Sequence, residues 1–196
     1  MCRQCAGFSY MDMELLNVYG RAIPHYIIPI KGDGSCLFRA LSFVMFNTQH
    51  MANIVRKEII SHVVTHWAQF AIMSHDHRGN NYLNAAAYWN DMSQPYTYGG
   101  LCELMAAGQI YPYTFEVYRN GEIYTRAGDH GFPVRRLRFT DDLSSGHFDA
   151  YVIKTEVPIK ATRRVLLIMH FKEEGALKSQ CKRTKGTQNQ RRISEI

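Results

Sequence analysis

The sequence predicts an α/β (α+β) domain, a small central β-sheet flanked by helices. Three observations predict it. Helical spacing of apolar residues fills the stretch up to Ala107, strand alternation and a hairpin signal fill Tyr113 to Ile153, and the apolar content suffices for one core. The chain has 196 residues, 46% hydrophobic and 12% aromatic, which excludes disorder over most of its length. Residues 1–16 read as a poorly defined N-terminal leader, 17–155 as the domain, and 156–196 as a basic C-terminal extension.

His25–Ile30 is a short β-prone run in which proline limits the strand to an edge or an end. Lys31-Gly32-Asp33-Gly34-Ser35 is a turn by composition. A helix follows at once, because Leu37, Ala40, Leu41, Val44 and Met45 share one helical face. Cys36 thus falls at a helix N-terminus. A second helix spans Ala52 to Met73, with Val55, Ile59, Val63 and Trp67 as its buried stripe, and a third spans Tyr82 to Met92 around Ala85-Ala86-Ala87. Leu101 to Ala107 forms a short helix closed by Gly108 in the C′ position.

Strands come next. Tyr113–Tyr118 and Glu122–Thr125 flank Asn120-Gly121, a strong hairpin signal. Val134–Phe139 alternates apolar and basic residues, as a half-buried strand does, and His147–Ile153 is a further β-prone run. Val165–Phe171 is a candidate strand within the extension, and the rest of the extension is charged and polar.

Five cysteines without a regular framework read as reduced thiols. The N-terminus lacks the apolar core of a signal peptide, and Val165–Met169, the longest dense apolar run, is too short to cross a bilayer. The expectation is a cytoplasmic or nuclear monomer that does not engage a membrane. From Lys154 onward there are 11 basic and 4 acidic residues, against 12 and 13 in residues 1–153. The net charge of +6 therefore belongs to the tail and does not mark the domain as a nucleic-acid binder.

Cys36 is the candidate nucleophile. A helix N-terminus favours an anion, and the glycine-rich segment before it can bring backbone N–H groups to a reacting carbonyl. His147, at the start of a strand, is the candidate base. Asp149 lies two residues on and so shares its face, where a carboxylate can orient the ring. Asp33 is a second candidate for that role. Nothing in the sequence asks for a cofactor.

Three segments resemble the motifs of ovarian-tumour (OTU) cysteine proteases, in family order over about 125 residues. They are Asp33-Gly34-Ser35-Cys36-Leu37-Phe38-Arg39-Ala40, Tyr98-Gly99-Gly100-Leu101-Cys102-Glu103-Leu104 and His147-Phe148-Asp149-Ala150-Tyr151-Val152. Tyr98 and Phe148 stand where tryptophan and tyrosine are commoner, and both keep an aromatic ring. The resemblance implies a papain-like protease of OTU type, a thiol-dependent deubiquitinase that hydrolyses isopeptide bonds at the C-terminus of ubiquitin without a metal. By position it makes Cys36 the nucleophile, His147 the base, Asp149 the orienter and Asp33 the loop aspartate that shapes the oxyanion hole. The implied partners are ubiquitin, polyubiquitin chains or ubiquitin-like modifiers.

Two alternatives remain open at this level. One is a catalytically silent ubiquitin-binding module of the same fold. The other is the protease module of a viral or mobile-element polyprotein, with nucleic acid bound through Lys182-Arg183-Thr184-Lys185 and Arg191-Arg192. Cys2-x-x-Cys5 is half of a zinc site, and His62 and His66 share a helical face without the glutamate of a zinc protease. Simple packing or surface roles account for these residues and for His75-Asp76-His77.

Overall fold

The computed structural model describes residues 12–141 and 146–153. The chain divides into two units, 1–158 and 159–196, and the described residues all belong to the first. The expected strand at 165–171, the Cys2-x-x-Cys5 pair and the basic tail lie outside the described residues.

Six strands and five helices form a mixed α+β domain: β1 (Met13–Val18), β2 (Arg21–Ile28), α1 (Cys36–Phe46), α2 (Ala52–Thr65), α3 (Trp67–Phe70), α4 (Ala85–Met92), α5 (Leu101–Ile110), β3 (Thr114–Arg119), β4 (Glu122–Ala127), β5 (Val134–Asp141) and β6 (Gly146–Ile153). The strands make one sheet in the order β1-β2-β6-β5-β3-β4. Its pairs are antiparallel except β3 with β5. The sheet curls until its two ends meet, where the Asn17 N–H donates to the Gly121 carbonyl at 2.8 Å.

Residues 13–16, read from sequence as part of a leader, instead open β1. Leu16 and Val18 turn inward and pack with Tyr118 and Tyr151. Alternation is present, but the exposed Met13 and Leu15 hide it. β2 is interior to the sheet, and it obeys the proline rule locally. Pro24 lies where β2 pairs with β1, just before the β6 ladder begins at His25, and Pro29 follows the last strand residue.

The long helix expected over Ala52–Met73 is broken. α2 ends at Thr65, α3 resumes at Trp67, and a 3-10 turn covers Ala71–Met73. At the break, Thr65 Oγ1 bonds the Ser61 carbonyl, and the His66 ring and His66 N–H both reach the His62 carbonyl. Side chains that compete in this way for backbone acceptors disrupt the helical ladder. Gly108 does not cap α5; it lies inside it. A Cβ there would sit 2.4 Å from the Gly128 nitrogen, so this glycine permits the helix to press onto the end of β4. The hairpin reads as expected, with Asn120 and Gly121 both at positive φ.

Helix α1 packs against β6 and β5 on one side and α2 on the other, and α2 in turn meets α4 and α5. Leu37, Phe38, Leu41, Val55, Ile59, Phe70, Leu104, Phe115, Leu137 and Ala150 are fully buried in this layer. At roughly 1.5–3 kcal/mol per large apolar side chain, it is the main source of stability. The arginines of β5 are half-buried. Arg136 bonds the fully buried Glu116, and Arg138 bonds Glu14 of β1.

Candidate active site

Cys36 is the first residue of α1, as its sequence position implied. It is 2% exposed, so only a slim group can reach its sulfur. The backbone amides of Phe148, Leu37 and Cys36 act on the thiol to lower its pKa. These donors favour a thiolate, yet burial outweighs them and, with the Asp33 charge, pushes the thiol above its ordinary pKa. The helix terminus alone does not make Cys36 a standing anion.

Helix α1 packs on β6, and Phe148, whose amide acts on the thiol, directly follows His147. The ring of His147 is turned so that its Nδ1 and Cε1 edge faces Gly32, in the loop before Cys36, where a Cβ would lie 3.6 Å from each atom. Its other nitrogen, Nε2, lies 3.1 Å from Asp149 Oδ1. Period 2 along β6 puts the two side chains on one face, and the contact follows.

Asp149 is buried and holds more than the ring. Its Oδ1 also accepts from the Ile30 N–H at 2.9 Å, and its Oδ2 is 3.4 Å from Arg138, its cross-strand partner. Arg138 in turn bonds Glu14, which also accepts from the Tyr151 hydroxyl at 2.7 Å. The carboxylate that touches the imidazole is thus anchored through Arg138 to the first strand of the sheet.

Asp33 has different partners. Its carboxylate accepts from the Ser35 N–H at 3.2 Å and from two Arg39 nitrogens at 3.1 and 2.7 Å, with Lys31 at 3.5 Å. The Arg39 guanidinium holds its pKa down at about 2 against the opposing pull of burial. A depressed carboxylate contributes stability above its unfolded pKa of about 3.9, and that contribution is lost as pH falls toward 2. Asp33 is therefore ionised at any pH near neutrality. Of the two candidate aspartates, Asp149 bonds the ring and Asp33 ties the loop to α1.

The middle motif supplies packing. Gly99 lies against α1, where a Cβ would come 2.7 Å from the Phe38 ring and 3.3 Å from Leu37. Glu103 accepts from the Gly100 N–H at 2.7 Å and from the Tyr88 hydroxyl at 2.8 Å, which fixes the start of α5. Tyr98 stacks on Phe148 with ring centroids 6.3 Å apart, so the two aromatic replacements pack on each other. Gly99→Ala is expected to cost about 1–3 kcal/mol through a forced shift of Phe38. An unchanged urea midpoint for this variant would show that the ring has room to move.

Sequence reasoning missed Arg56. It projects from α2 beneath the loop before Cys36 and is 4% exposed. A lone charge beside an apolar stripe reads as solvated, and no local signal marks it otherwise. His62, His66 and His75 take structural places. His62 Nε2 lies 2.8 Å from Gln109 Oε1 with the His66 ring at 4.2 Å, and His75 Nδ1 is 3.0 Å from the Met73 carbonyl. No cluster of three or more His, Cys, Asp or Glu side chains suited to a metal occurs among the described residues. No helix among them is long and apolar enough to cross a membrane.

A curled sheet carrying a buried cysteine at a helix start, opposite a strand-borne histidine and aspartate, defines the class as cysteine-protease-like. The family model described as OTU-like cysteine protease matches residues 31–141, more than half of the chain, and the chain belongs to that family. The matched stretch includes Cys36 and the middle motif, and His147 and Asp149 lie just past its end. A Tipula iridescent virus protein whose name assigns it as a ubiquitin thioesterase is 26% identical over 150 residues, covering 69% of this chain. This chain spans only 17% of that protein's length. Among solved structures, the OTU domain of OTUD1 is similar with a TM-score of 0.53 at 22% identity, covering 65% of this chain and 85% of that one. The viral OTU domain protease of Dera Ghazi Khan virus gives 0.52 at 21% identity, covering 67% and 82%. These likenesses establish the fold.

Proposed function

We propose that this domain is a thiol-dependent deubiquitinase, hydrolysing isopeptide bonds at the C-terminus of ubiquitin with Cys36, His147 and Asp149 as its triad. The observation that carries the reading is the orientation of the His147 ring, bonded to Asp149 through Nε2 and facing the Cys36 loop with Nδ1. Membership of the cysteine protease family supports the reaction type. The printed name of the iridescent virus relative supports the substrate.

The reaction follows from these groups. His147 Nδ1 takes the thiol proton as Cys36 Sγ attacks the carbonyl carbon of the terminal glycine. Asp149 stabilises the imidazolium that forms. Backbone N–H groups at the start of α1 face the developing oxyanion. The imidazolium then protonates the departing lysine amine, leaving a thioester on Cys36. Water, deprotonated by His147, hydrolyses the thioester and frees the thiol and a carboxylate. The near-complete burial of Cys36 favours a substrate ending in two glycines, which offers no side chain to clash. Burial raises the pKa of the Cys36 thiol, so the reading has its proton move onto His147 as the sulfur attacks.

The test is a ubiquitin probe carrying a C-terminal electrophile, scored by intact mass and peptide mapping. Labelling at Cys36 with EDTA present, and cleavage of di-ubiquitin, are the expected results. Absence of labelling alongside tight ubiquitin binding would instead mark a silent binding module. In the free enzyme, alkylation of Cys36 by iodoacetamide is expected to accelerate through the alkaline range. A rate already at its plateau at neutral pH would show a standing thiolate and overturn the coupled step.

A further inference from the structure

We propose that Arg56 is a positioning residue for the reaction at Cys36, clamping the Gly34–Ser35 peptide from its carbonyl side while Asp33 clamps it from its amide side. The proposal rests on the reading of Cys36 as the nucleophile.

The guanidinium of Arg56 has no carboxylate in ion-pair contact among the described residues. Its Nη1 donates to the Met92 carbonyl at 3.0 Å. Its Nη2 donates to the Thr97 carbonyl at 2.8 Å and to Ser35 Oγ at 3.0 Å, with the carbonyls of Pro95 and Gly34 at 3.3 and 3.4 Å. The group lies over the Phe38 ring, 4.0 Å from its centroid. Burial lowers its pKa to about 10, which leaves it charged at neutral pH. Taking an arginine out of water is costly unless dipoles replace the lost hydration. Here the replacement is a ring of backbone carbonyls drawn from two segments, 34–35 and 92–97.

The first of those segments leads directly into the nucleophile, and the two press on each other. Gly34 has φ +78, and a Cβ on it would lie 1.8 Å from the Tyr96 carbonyl oxygen. Ser35 Oγ donates to the Pro95 carbonyl, closing the same contact. On the opposite side of the Gly34–Ser35 peptide, its N–H donates to Asp33. One peptide plane is thereby held between a carboxylate at its N–H and a guanidinium at its C=O. The next peptide carries the N–H of Cys36, at the start of α1. An error in the first plane is passed directly to the second. Arg56 is buried and its hydrogen bonds end on this loop and on residues 92–97, so it acts by holding the loop and not by touching substrate.

The experiment combines kinetics on ubiquitin substrates with amide hydrogen exchange of residues 33–37 in Arg56→Gln and Arg56→Lys. The glutamine variant is expected to lose about 10²-fold in kcat with KM nearly unchanged, as small misplacements of a reacting group do. Exchange across the loop should accelerate. Lysine keeps the charge but cannot span Met92, Thr97 and Ser35 together, so it should restore kcat only in part and leave the loop loosened. Should Arg56→Gln not fold, Arg56→Lys decides the question on the same two readouts. Wild-type kcat, a rise in KM alone, or unchanged loop exchange in a folded variant overturns the proposal. If the wild-type chain cleaves no ubiquitin while the variants still loosen the loop, the substrate assignment fails and the positioning role stands.

Discussion

Replacing Cys36 with alanine is expected to lower turnover of a ubiquitin substrate by at least about 10⁴-fold while the domain stays folded, because removing the nucleophile of a triad leaves only binding and oxyanion contacts. The fold should tolerate the change. Alanine is a good helix former, and the side chain loses a single sulfur from the first turn of α1. Cys102 supplies the matched control. It is also buried, on α5 beside Glu103, and burial pushes its thiol up as well. It has no histidine bonded in place opposite it among the described residues. Cys102→Ala should therefore keep the rate, apart from a small packing loss. Steady-state cleavage with thermal unfolding of both variants separates the cases. Activity that survives Cys36→Ala and vanishes in a folded Cys102→Ala would end the assignment of the nucleophile.

The second large effect is expected at Asp149. Asparagine keeps the size of the side chain and can still accept from the Ile30 N–H, so the strand should survive. Two things change. The imidazolium formed during catalysis loses its counter-charge, and with the asparagine oxygen held at the Ile30 N–H its NH2 faces the Arg138 guanidinium, donor against donor, which loosens the anchor of the ring. A lost orienter of this kind costs up to about 10⁴-fold in kcat. KM should move little, since Asp149 is buried behind the ring. Asp33→Asn is the comparison. It breaks the short ion pair with Arg39 and weakens the bond to the Ser35 N–H, so it should lower the unfolding temperature and cut the rate less steeply. A near-normal rate in Asp149→Asn together with a collapse in Asp33→Asn would exchange the two roles.

The parts of this site that were legible in the sequence are those fixed by short-range geometry. Cys36 follows a glycine-rich turn and precedes a regular apolar stripe, so its place at a helix start could be read directly. His147 and Asp149 share a face because strands have period 2, and their bond needs no other information. What could not be read depends on partners far along the chain. Glu14 falls in a segment whose alternation is masked by exposed Met13 and Leu15, yet it bonds the arginine that touches Asp149. Arg56 neighbours the apolar face of α2, and only its acceptors in residues 34–35 and 92–97 explain its burial. Gly108 misled for the same reason. Glycine near a helix end suggests a cap, and the close approach of β4 that requires it is invisible locally.

The place of β6 between β2 and β5 also bears on when the site comes into being. The loop, α1 and Arg56 are near neighbours along the chain. The bond from Ile30 to Asp149, by contrast, spans 119 residues, and that from Tyr151 to Glu14 spans 137. Such distant contacts form slowly, because loop closure must precede any gain from them. During synthesis the thiol is made first and its base more than a hundred residues later. Until the sixth strand slides into the middle of the sheet, the chain carries a nucleophile with no base, and the nascent domain is inert. Any activity that needs both Cys36 and His147 is then the last property the folding molecule acquires, and its recovery on refolding should lag behind recovery of helical signal.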